Sequence, residues 1–382
     1  MASAFVVRVM RPTTRLPVIL AAVAAIVVVL VGGSILLTSG PAPTASAGAS
    51  AATPGSSDAP SGAPTESPSP TVTPIPSSSA FFPGGLLIAD RGNGRLLVID
   101  DAGTIVWRFP TVAGALPAGQ KFTADDAFID PNGKTIVAND ENHQVIDRID
   151  IATGKIVWQF GQYGVAGPGK TQLHTPDDAY PLANGDIIVA DIRNCRILEI
   201  APDKTIARQW GKTGVCTHKA GVTFGEPNGD TPLPDGGLLI TEITGSRVVR
   251  LDAAGNVVFD IHVPVLYPSD AQLDENGNVV VADFSSPGQV VAVDPTGKLV
   301  WRYGPTSGPG MLNHPSLATP LPGGLVVIND DGRDRMVVID PATGLIVWQY
   351  GHTGTASTKD GYLSDPDGHQ PLPVGFFPIP SP

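Results

Sequence analysis

Short apolar runs that end in an acidic residue recur six times along the chain. Most follow a turn that contains glycine, as in Gly185-Asp-Ile-Ile-Val-Ala-Asp191 and Gly277-Asn-Val-Val-Val-Ala-Asp283. The six acids are 41 to 51 residues apart: Asp90, Asp140, Asp191, Glu242, Asp283 and Asp330. An internal period in this range is typical of a propeller or a solenoid.

An aromatic residue follows each acid after 17 to 19 residues, and the set uses all five tryptophans. The six aromatic residues are Trp107, Trp158, Trp210, Phe259, Trp301 and Trp348. We expect them at equivalent positions on the outermost strand of each repeat, where they would fill the space between neighbouring sheets.

Four short strands, labelled A to D from the axis outward, fit each repeat. In the third repeat they are expected at about 178–183, 186–191, 195–200 and 205–210, with turn pairs such as Asn184-Gly185 between them. The sequence therefore predicts an all-β, six-bladed propeller of four-stranded antiparallel blades over residues 81–373.

The first repeat lacks a strand A, because a Ser/Pro-rich segment precedes Phe81. A matching strand occurs at the other end of the chain, where Asp365-Pro-Asp-Gly-His-Gln-Pro-Leu-Pro resembles Glu226-Pro-Asn-Gly-Asp-Thr-Pro-Leu-Pro. We expect residues 363–373 to complete the first blade and close the ring, which pairs two otherwise open strand edges.

Residues 16–38 carry no charge and follow three arginines, so they are predicted to form a transmembrane signal anchor. This places residues 1–15 in the cytoplasm and the propeller outside the cell. Secretion after cleavage near Ala47 is the alternative. Residues 39–80 are predicted to form a disordered linker rich in Pro, Ser, Ala and Thr, and residues 374–382 a C-terminal tail.

The formal net charge of −12 argues against nucleic acid as a partner. A protein, a peptide or a small molecule remains open as the ligand, and we expect the propeller to be monomeric. Cys195 falls at a B-to-C turn and Cys216 in the D-to-A connection after it, on the same side of the ring, so a disulfide between them is predicted.

Four of the repeated acids are followed five residues later by arginine, as in Asp191 with Arg196 and Glu242 with Arg247. We interpret these acids as scaffold residues that pair with the arginines across an exposed turn, not as catalytic residues.

The start of strand A brings oxygen-bearing side chains to the axis of the ring in two neighbouring columns. One column contains Asp126, Asp178 and Asp270, and the other contains Asp125, Asp177, Asn228 and Asp367. Because side chains alternate along a strand, only one column is expected to face the channel. The acids could bind Ca²⁺, or they could cap turns around a water-filled channel, which the incomplete ring of acids favours.

All seven histidines map to one face of the ring or to its axial strand. Four are candidates for a functional surface: His174, His314, His352 and His369. Their repeated occurrence in the D-to-A connections and on the closing strand favours this side of the ring as the binding face.

The motif Ala190-Asp191-Ile-Arg-Asn194-Cys-Arg196-Ile resembles the NHL repeat, and Asp294-Pro-Thr-Gly-Lys-Leu-Val-Trp resembles the quinoprotein (PQQ) repeat. Six repeats without a vicinal cysteine pair argue against bound PQQ. The axial acids resemble the metal site of gluconolactonase-type propellers, and Tyr180-Pro-Leu-Ala-Asn-Gly resembles arylsulfotransferase-like propellers. The loops of the D-to-A face favour a binding module as the function. The resemblances to gluconolactonase-type and arylsulfotransferase-like propellers imply the alternatives, a metal-dependent hydrolase or a sulfotransferase-like enzyme.

Overall fold

The computed structural model describes residues 81–377. The predicted cytoplasmic segment, transmembrane helix and linker lie outside these residues, as do the last five residues of the tail. Between residues 81 and 377, no helix is long and apolar enough to cross a bilayer.

Six four-stranded antiparallel sheets confirm the predicted propeller. Strands A to D of blade 1 are β24, β1, β2 and β3, and each later blade takes the next four strands in order. The strands are β1 (Leu86–Asp90), β2 (Arg95–Ile99), β3 (Ile105–Phe109), β4 (Ala127–Ile129), β5 (Thr135–Asp140), β6 (Val145–Asp150), β7 (Lys155–Gly161), β8 (Pro176–Pro181), β9 (Ile187–Asp191), β10 (Arg196–Ile200), β11 (Ile206–Gly211), β12 (Pro227–Pro232), β13 (Leu238–Glu242), β14 (Arg247–Leu251), β15 (Val257–His262), β16 (Pro268–Leu273), β17 (Val279–Asp283), β18 (Gln289–Val293), β19 (Leu299–Tyr303), β20 (Ala318–Pro320), β21 (Val326–Asp330), β22 (Arg335–Asp340), β23 (Leu345–Gly351) and β24 (Pro366–Pro371).

A single turn of 3₁₀-helix links strands B and C in three blades. These turns span Arg91–Asn93, Ile192–Asn194 and Asp331–Arg333. Each ends at a residue in the left-handed region, namely Gly94, Cys195 or Asp334. The turns lie on what we call the upper face, which carries the B-to-C turns and the D-to-A connections. The lower face carries the A-to-B and C-to-D turns.

The core fills the spaces between neighbouring sheets. Strand B is buried along its whole length in all six blades, because a sheet covers each of its sides. This explains why its sequence is a continuous apolar run and does not alternate. Fully burying one valine or isoleucine side chain contributes about 1.5 to 3 kcal/mol, so the inner strands provide most of the stabilisation.

The aromatic column on strand D is confirmed in five blades and wrong in the third. Trp107, Trp158, Phe259, Trp301 and Trp348 all pair with the fourth residue of strand C. Trp210 instead pairs with Ile197, the second residue of its strand C, and Arg208 occupies the equivalent position opposite Glu199. Trp210 therefore lies two residues further along strand D than the other aromatic residues do, which explains its longer spacing of 19 residues from Asp191.

The C-terminal strand closes the ring as predicted. In β24, Gln370 pairs with Leu87 and His369 pairs with Ile88, so the last strand becomes strand A of blade 1. Leu372 N–H extends the pairing by donating to Gly85 O at 3.0 Å. A Cβ atom at Gly84 would lie 2.2 Å from Leu372 O, which is why the joint between the two chain ends requires a glycine.

Candidate functional site

The upper face is built on the acids that end strand B. Each accepts a hydrogen bond from a backbone N–H of the D-to-A connection that leads into its blade. The donors are Thr123, His174, Gly225, Leu266, Asn313 and Ser364. The acids therefore fix the loops to the blades, which confirms that they are scaffold residues.

Two of the predicted pairs between these acids and the arginines are fully buried, which corrects their expected exposure. Arg196 Nε lies 2.7 Å from Asp191 Oδ2, and Arg335 Nε lies 2.7 Å from Asp330 Oδ2, with both arginines at most 3% exposed. Because a buried charge left without its partner is strongly destabilising, these pairs matter more for folding than surface ion pairs do.

The expected pair between Glu242 and Arg247 does not form. His218, from the D-to-A connection, binds Glu242 through Nδ1 at 2.9 Å and Asp260 through Nε2 at 3.0 Å. Arg247 instead donates from Nε to Asp260 Oδ1 at 2.8 Å. In this blade a loop histidine takes the place of the strand arginine, so His218 is a structural residue.

The disulfide is present, with the Cα atoms of Cys195 and Cys216 5.1 Å apart. It ties the D-to-A connection after blade 3 to the B-to-C turn of the same blade. This confirms that both kinds of segment emerge on the upper face.

At the axis, both acid columns reach one cavity, although only one was expected to do so. Asp126, Asp178 and Asp270 line it together with Asp177 and Asn228. Asp367 also lines the cavity, and Asp125 has a carboxylate oxygen within 4.8 Å of those of Asp126 and Asp177.

The reason is an irregularity near the start of strand A. The register with strand B shifts between Asp177 and Tyr180, and Asp178 adopts a left-handed φ of 51°. Blades 4 and 5 shift at the same place, after Pro227 and Pro268. An extra residue in a strand lets two consecutive side chains turn to the same side, so alternation gave the wrong prediction here.

The axial cavity has a volume of about 10 Å³. This is about the space that one water molecule needs, so a single water or a monatomic ion fits, whereas an organic ligand does not. The blades also approach closely at this level. A Cβ atom at Gly368 would lie 2.3 Å from Asp126 Oδ1, so a glycine is needed there beside the acid.

Burial and mutual repulsion make the axial acids hard to ionise. Burial raises the pKa of Asp126, Asp177 and Asp178 well above the usual range, and neighbouring carboxylates raise it further. Burial raises the pKa of Asp270 to about 6, although Gln272 donates to its Oδ2 at 2.7 Å. At an effective dielectric constant of 20, two carboxylates 4 Å apart repel by about 4 kcal/mol, so the cluster needs protons or a cation.

Besides Asp125, whose Oδ1 faces Arg91, three buried acids have oxygens without a hydrogen-bond partner among residues 81–377: Asp178, Asp230 and Asp331. Asp178 is 3% exposed, and its Oδ2 accepts no hydrogen bond. Asp230, at a position where four of the other blades have alanine, is fully buried, and neither of its oxygens is paired. Buried polar atoms are almost always satisfied in folded proteins, so unpaired oxygens beside a small cavity indicate a site for a ligand.

Arg91 lies over the cluster on the upper face. Its Nη1 is 2.6 Å from Asp367 Oδ2 and 2.8 Å from Asp125 Oδ1, and its Nη2 is 3.1 Å from Glu141 Oε2. Although burial lowers the pKa of Arg91, the surrounding carboxylates raise it, so the arginine stays charged.

Arg91 and Glu141 were not among the site residues predicted from the sequence. Both stand one residue after a strand-B acid, and Asp331 holds the same place in blade 6. The position after the repeated acid was therefore the signal that could have located them.

Comparison with protein families identifies the repeats. A family of PQQ-like repeat propellers, described as outer membrane protein assembly factor BamB, matches residues 56–199 and 197–368. The chain belongs to this family. No curated protein matches the sequence.

Solved structures resemble this BamB-type propeller in fold. A protein of unknown function from Bacteroides caccae is 20% identical, with a TM-score of 0.51, and the match covers 74% of this chain and 97% of that one. A chain of the nidogen–laminin complex is 14% identical at the same TM-score and covers 75% and 97%. Virginiamycin B lyase from Staphylococcus aureus is 17% identical, with a TM-score of 0.47, and covers 68% and 78%.

The four candidate histidines of this BamB-type chain do not form one site. His369 does not reach the surface; it is 1% exposed, and burial lowers its pKa to about 3. His352 is exposed and stacks on Tyr362, with ring centroids 3.9 Å apart. His174 and His314 are half-buried in the D-to-A connections, and the ring of His314 lies 4.9 Å from that of Phe284.

Proposed function

We propose that this propeller is a binding module whose upper face is organised by a divalent cation, of the Ca²⁺ class, held at the axis. Asp126, Asp177 and Asp178 would supply the first carboxylate ligands, with Asp270 and Asp367 at the edge of the site. Ca²⁺ takes six to eight oxygen ligands, and carboxylates are its usual protein ligands.

The observation that carries the proposal is the buried, unpaired Oδ2 of Asp178 beside a cavity of about 10 Å³. An ionised carboxylate only accepts hydrogen bonds, so carboxylates in contact cannot satisfy one another. A cation between them would satisfy Asp178 and offset the repulsion in one step. A proton shared between Asp178 and Asp270 would be the alternative to a cation, and the titration below distinguishes the two.

A bound cation would also set the charge that a ligand meets on the upper face. Arg91 bridges Asp125, Asp367 and Glu141, so its position depends on how much negative charge the cluster keeps. With two positive charges at the axis, the acids would hold Arg91 less tightly. Its guanidinium would then be available to an anionic or polar ligand.

The size of the cavity favours binding over catalysis. A lactonase-like hydrolase would need room for its substrate beside the cation, and the axial cavity holds only one small ion or water. The D-to-A connections surround the mouth of the site and offer the surface on which a larger ligand would lie.

We further propose that the module acts outside the cell on a membrane anchor. The uncharged residues 16–38 after three arginines support this placement. The disulfide between Cys195 and Cys216 supports it as well, because disulfides persist in oxidising compartments.

Calorimetric titration of Ca²⁺ into the full-length chain tests the cation site. We expect one ion per chain and at least tenfold weaker binding in Asp178→Asn. Asparagine tolerates the left-handed backbone at this position, so the variant should fold, and circular dichroism checks that it does. Asp150→Asn, which changes an acid of a lower-face turn, is the matched control and should bind as the native chain does.

The proposal is contradicted if the native chain shows no saturable binding at millimolar Ca²⁺, or if Asp178→Asn binds with unchanged affinity. Either result would mean that shared protons, and not a metal ion, stabilise the cluster.

A further inference from the structure

The lower face has a groove between each pair of neighbouring blades, and two adjacent grooves hold similar segments of this chain. Phe81-Phe82-Pro83 precedes the first strand, and Phe376-Phe377-Pro378 follows the last. These are the only two Phe-Phe pairs in the sequence.

The N-terminal segment fills the groove between blades 6 and 1. Phe82 is 1% exposed, and its ring meets that of Trp348 edge to face, with centroids 5.1 Å apart. Leu321 and Leu325, from the A-to-B turn of blade 6, pack in the same cluster.

The C-terminal segment packs into the groove between blades 1 and 2 in the same manner, and a space of about 320 Å³ beside Trp107 and Ala152 stays open. Phe377 is 6% exposed, and its ring centroid is 6.0 Å from that of Trp107. Phe376 lies over Gly133 in the A-to-B turn of blade 2, and a Cβ atom there would be 3.5 Å from its ring. In both grooves a phenylalanine therefore packs against the tryptophan in the same position of strand D.

Charged side chains occupy the corresponding place in two other grooves. Lys204 Nζ lies 5.8 Å from the centroid of Trp158 between blades 2 and 3. Between blades 3 and 4, Arg208 occupies the position on strand D that tryptophan has in most other blades. Its guanidinium carbon lies 4.3 Å from the ring centroid of Trp210.

The groove between blades 5 and 6 is open. Its volume is about 530 Å³, and Trp301, Leu321, Leu325 and Pro341 are among the residues that line it. Among residues 81–377, no aromatic ring and no cation lies over Trp301, and the adjacent Val300 is 51% exposed. A pocket of this size matches those that bind small ligands and short peptide segments.

We propose that this groove binds an extended segment of a partner protein that carries a Phe-Phe-Pro sequence. The chain's own two segments show which chemistry the groove accepts, because they fill the equivalent position on the next two pairs of blades. They are not available themselves, since each is held beside the end strand to which it is joined. Glu275, exposed on the rim, favours a basic residue next to the Phe-Phe pair.

The energy of such a contact follows from its aromatic core. Burying one phenylalanine contributes about 1.5 to 3 kcal/mol, and an edge-to-face pair of rings adds about 0.5 to 1.5 kcal/mol. This site lies on the opposite face from the axial acids, so it does not depend on the cation.

The test uses an eight-residue peptide with the sequence of positions 375–382, Gly-Phe-Phe-Pro-Ile-Pro-Ser-Pro, titrated into the full-length chain. We expect saturable binding detected by tryptophan fluorescence, and at least tenfold weaker binding when both phenylalanines of the peptide are alanine. Ala342→Arg should weaken binding at least tenfold, because Ala342 is exposed and lines the groove.

Ala152→Arg is the matched control, since Ala152 holds the same place in the C-to-D turn beside the groove where Phe377 already packs against the tryptophan, and it should not change peptide binding. Trp301→Ala should lose binding as Ala342→Arg does. The proposal is overturned if the peptide does not bind, if Ala342→Arg binds it unchanged, or if Ala152→Arg weakens it instead. Self-association of the native chain that Ala342→Arg abolishes would overturn it in favour of a second copy as the occupant.

Discussion

Asp147 is a buried acid in strand C of blade 2, away from the axis. It is 3% exposed, and Gln159 donates to its Oδ1 at 2.8 Å. Burial raises its pKa from 3.8 to about 7, because the one hydrogen bond offsets only part of the lost hydration. The folded chain therefore holds a proton that the unfolded chain releases.

This proton predicts how stability depends on pH. Between the unfolded pKa of 3.8 and the folded pKa of about 7, the folded state binds more protons, so stability falls as the pH rises. From pH 5 to pH 8, the contribution of Asp147 to the free energy of unfolding should drop by roughly 2 to 3 kcal/mol. Asp147→Asn should remove this drop, as measured by urea unfolding at both pH values. An unchanged pH dependence in the variant would refute the assignment.

Single residues show where sequence spacing succeeds and where it fails. The distance of five residues located the buried pairs of Asp191 with Arg196 and of Asp330 with Arg335, because the two residues flank one tight turn. It failed for Glu242, since His218 competes for the same carboxylate from a loop 24 residues upstream. A competing partner supplied by a distant segment leaves no periodic trace in the sequence.

At the scale of strands, the repeats predicted strand B, strand C and the closing strand, because these depend on apolar runs and local turns. The irregular start of strand A was not predictable in the same way. It depends on contacts with the neighbouring blades and on the left-handed conformation of Asp178. Aspartate does not require this conformation, so the residue type does not predict it. For this reason both axial columns of acids line the same cavity, although the alternation of side chains along a regular strand predicted that only one of them would.

The disulfide gives a prediction at the same scale. It closes a loop of 21 residues between the B-to-C turn and the D-to-A connection of blade 3, so replacing both cysteines by serine should destabilise the chain by about 2 to 4 kcal/mol. Guanidinium unfolding of the native and double-serine chains measures the difference. Thiol titration of the native, exported protein should find no free thiol, and two reactive thiols would argue against both the bond and the oxidising location.

For the whole molecule, ring closure is the feature on which the axial site depends. The last strand supplies Asp367 to the axial cluster, and the residues after it supply Phe377 to the groove beside blade 2. Deleting residues 365–382 removes strand A of blade 1 and exposes the edge of β1, so we expect aggregation or a large loss of thermal stability. Size-exclusion chromatography with thermal unfolding tests this. A soluble, equally heat-resistant product would rule out the closed ring.

The two faces of the propeller differ in the kind of ligand that they can bind. The upper face places buried carboxylates under Arg91. On the lower face, the groove between blades 5 and 6 lacks the aromatic or cationic cover that is present in four other grooves. Family membership alone specifies neither site, because propellers of one fold serve unrelated functions. Both sites lie at positions where the sequence of this chain differs from its own repeat pattern.

Anomalous diffraction from crystals of the full-length chain soaked with Tb³⁺, a lanthanide that substitutes for Ca²⁺, tests the cation site most directly. We expect one strong anomalous peak at the axis, among the carboxylates of Asp126, Asp177 and Asp178, and no axial peak in crystals of Asp178→Asn. An axis without a peak in the native crystals, with Tb³⁺ bound only at surface acids, would contradict it.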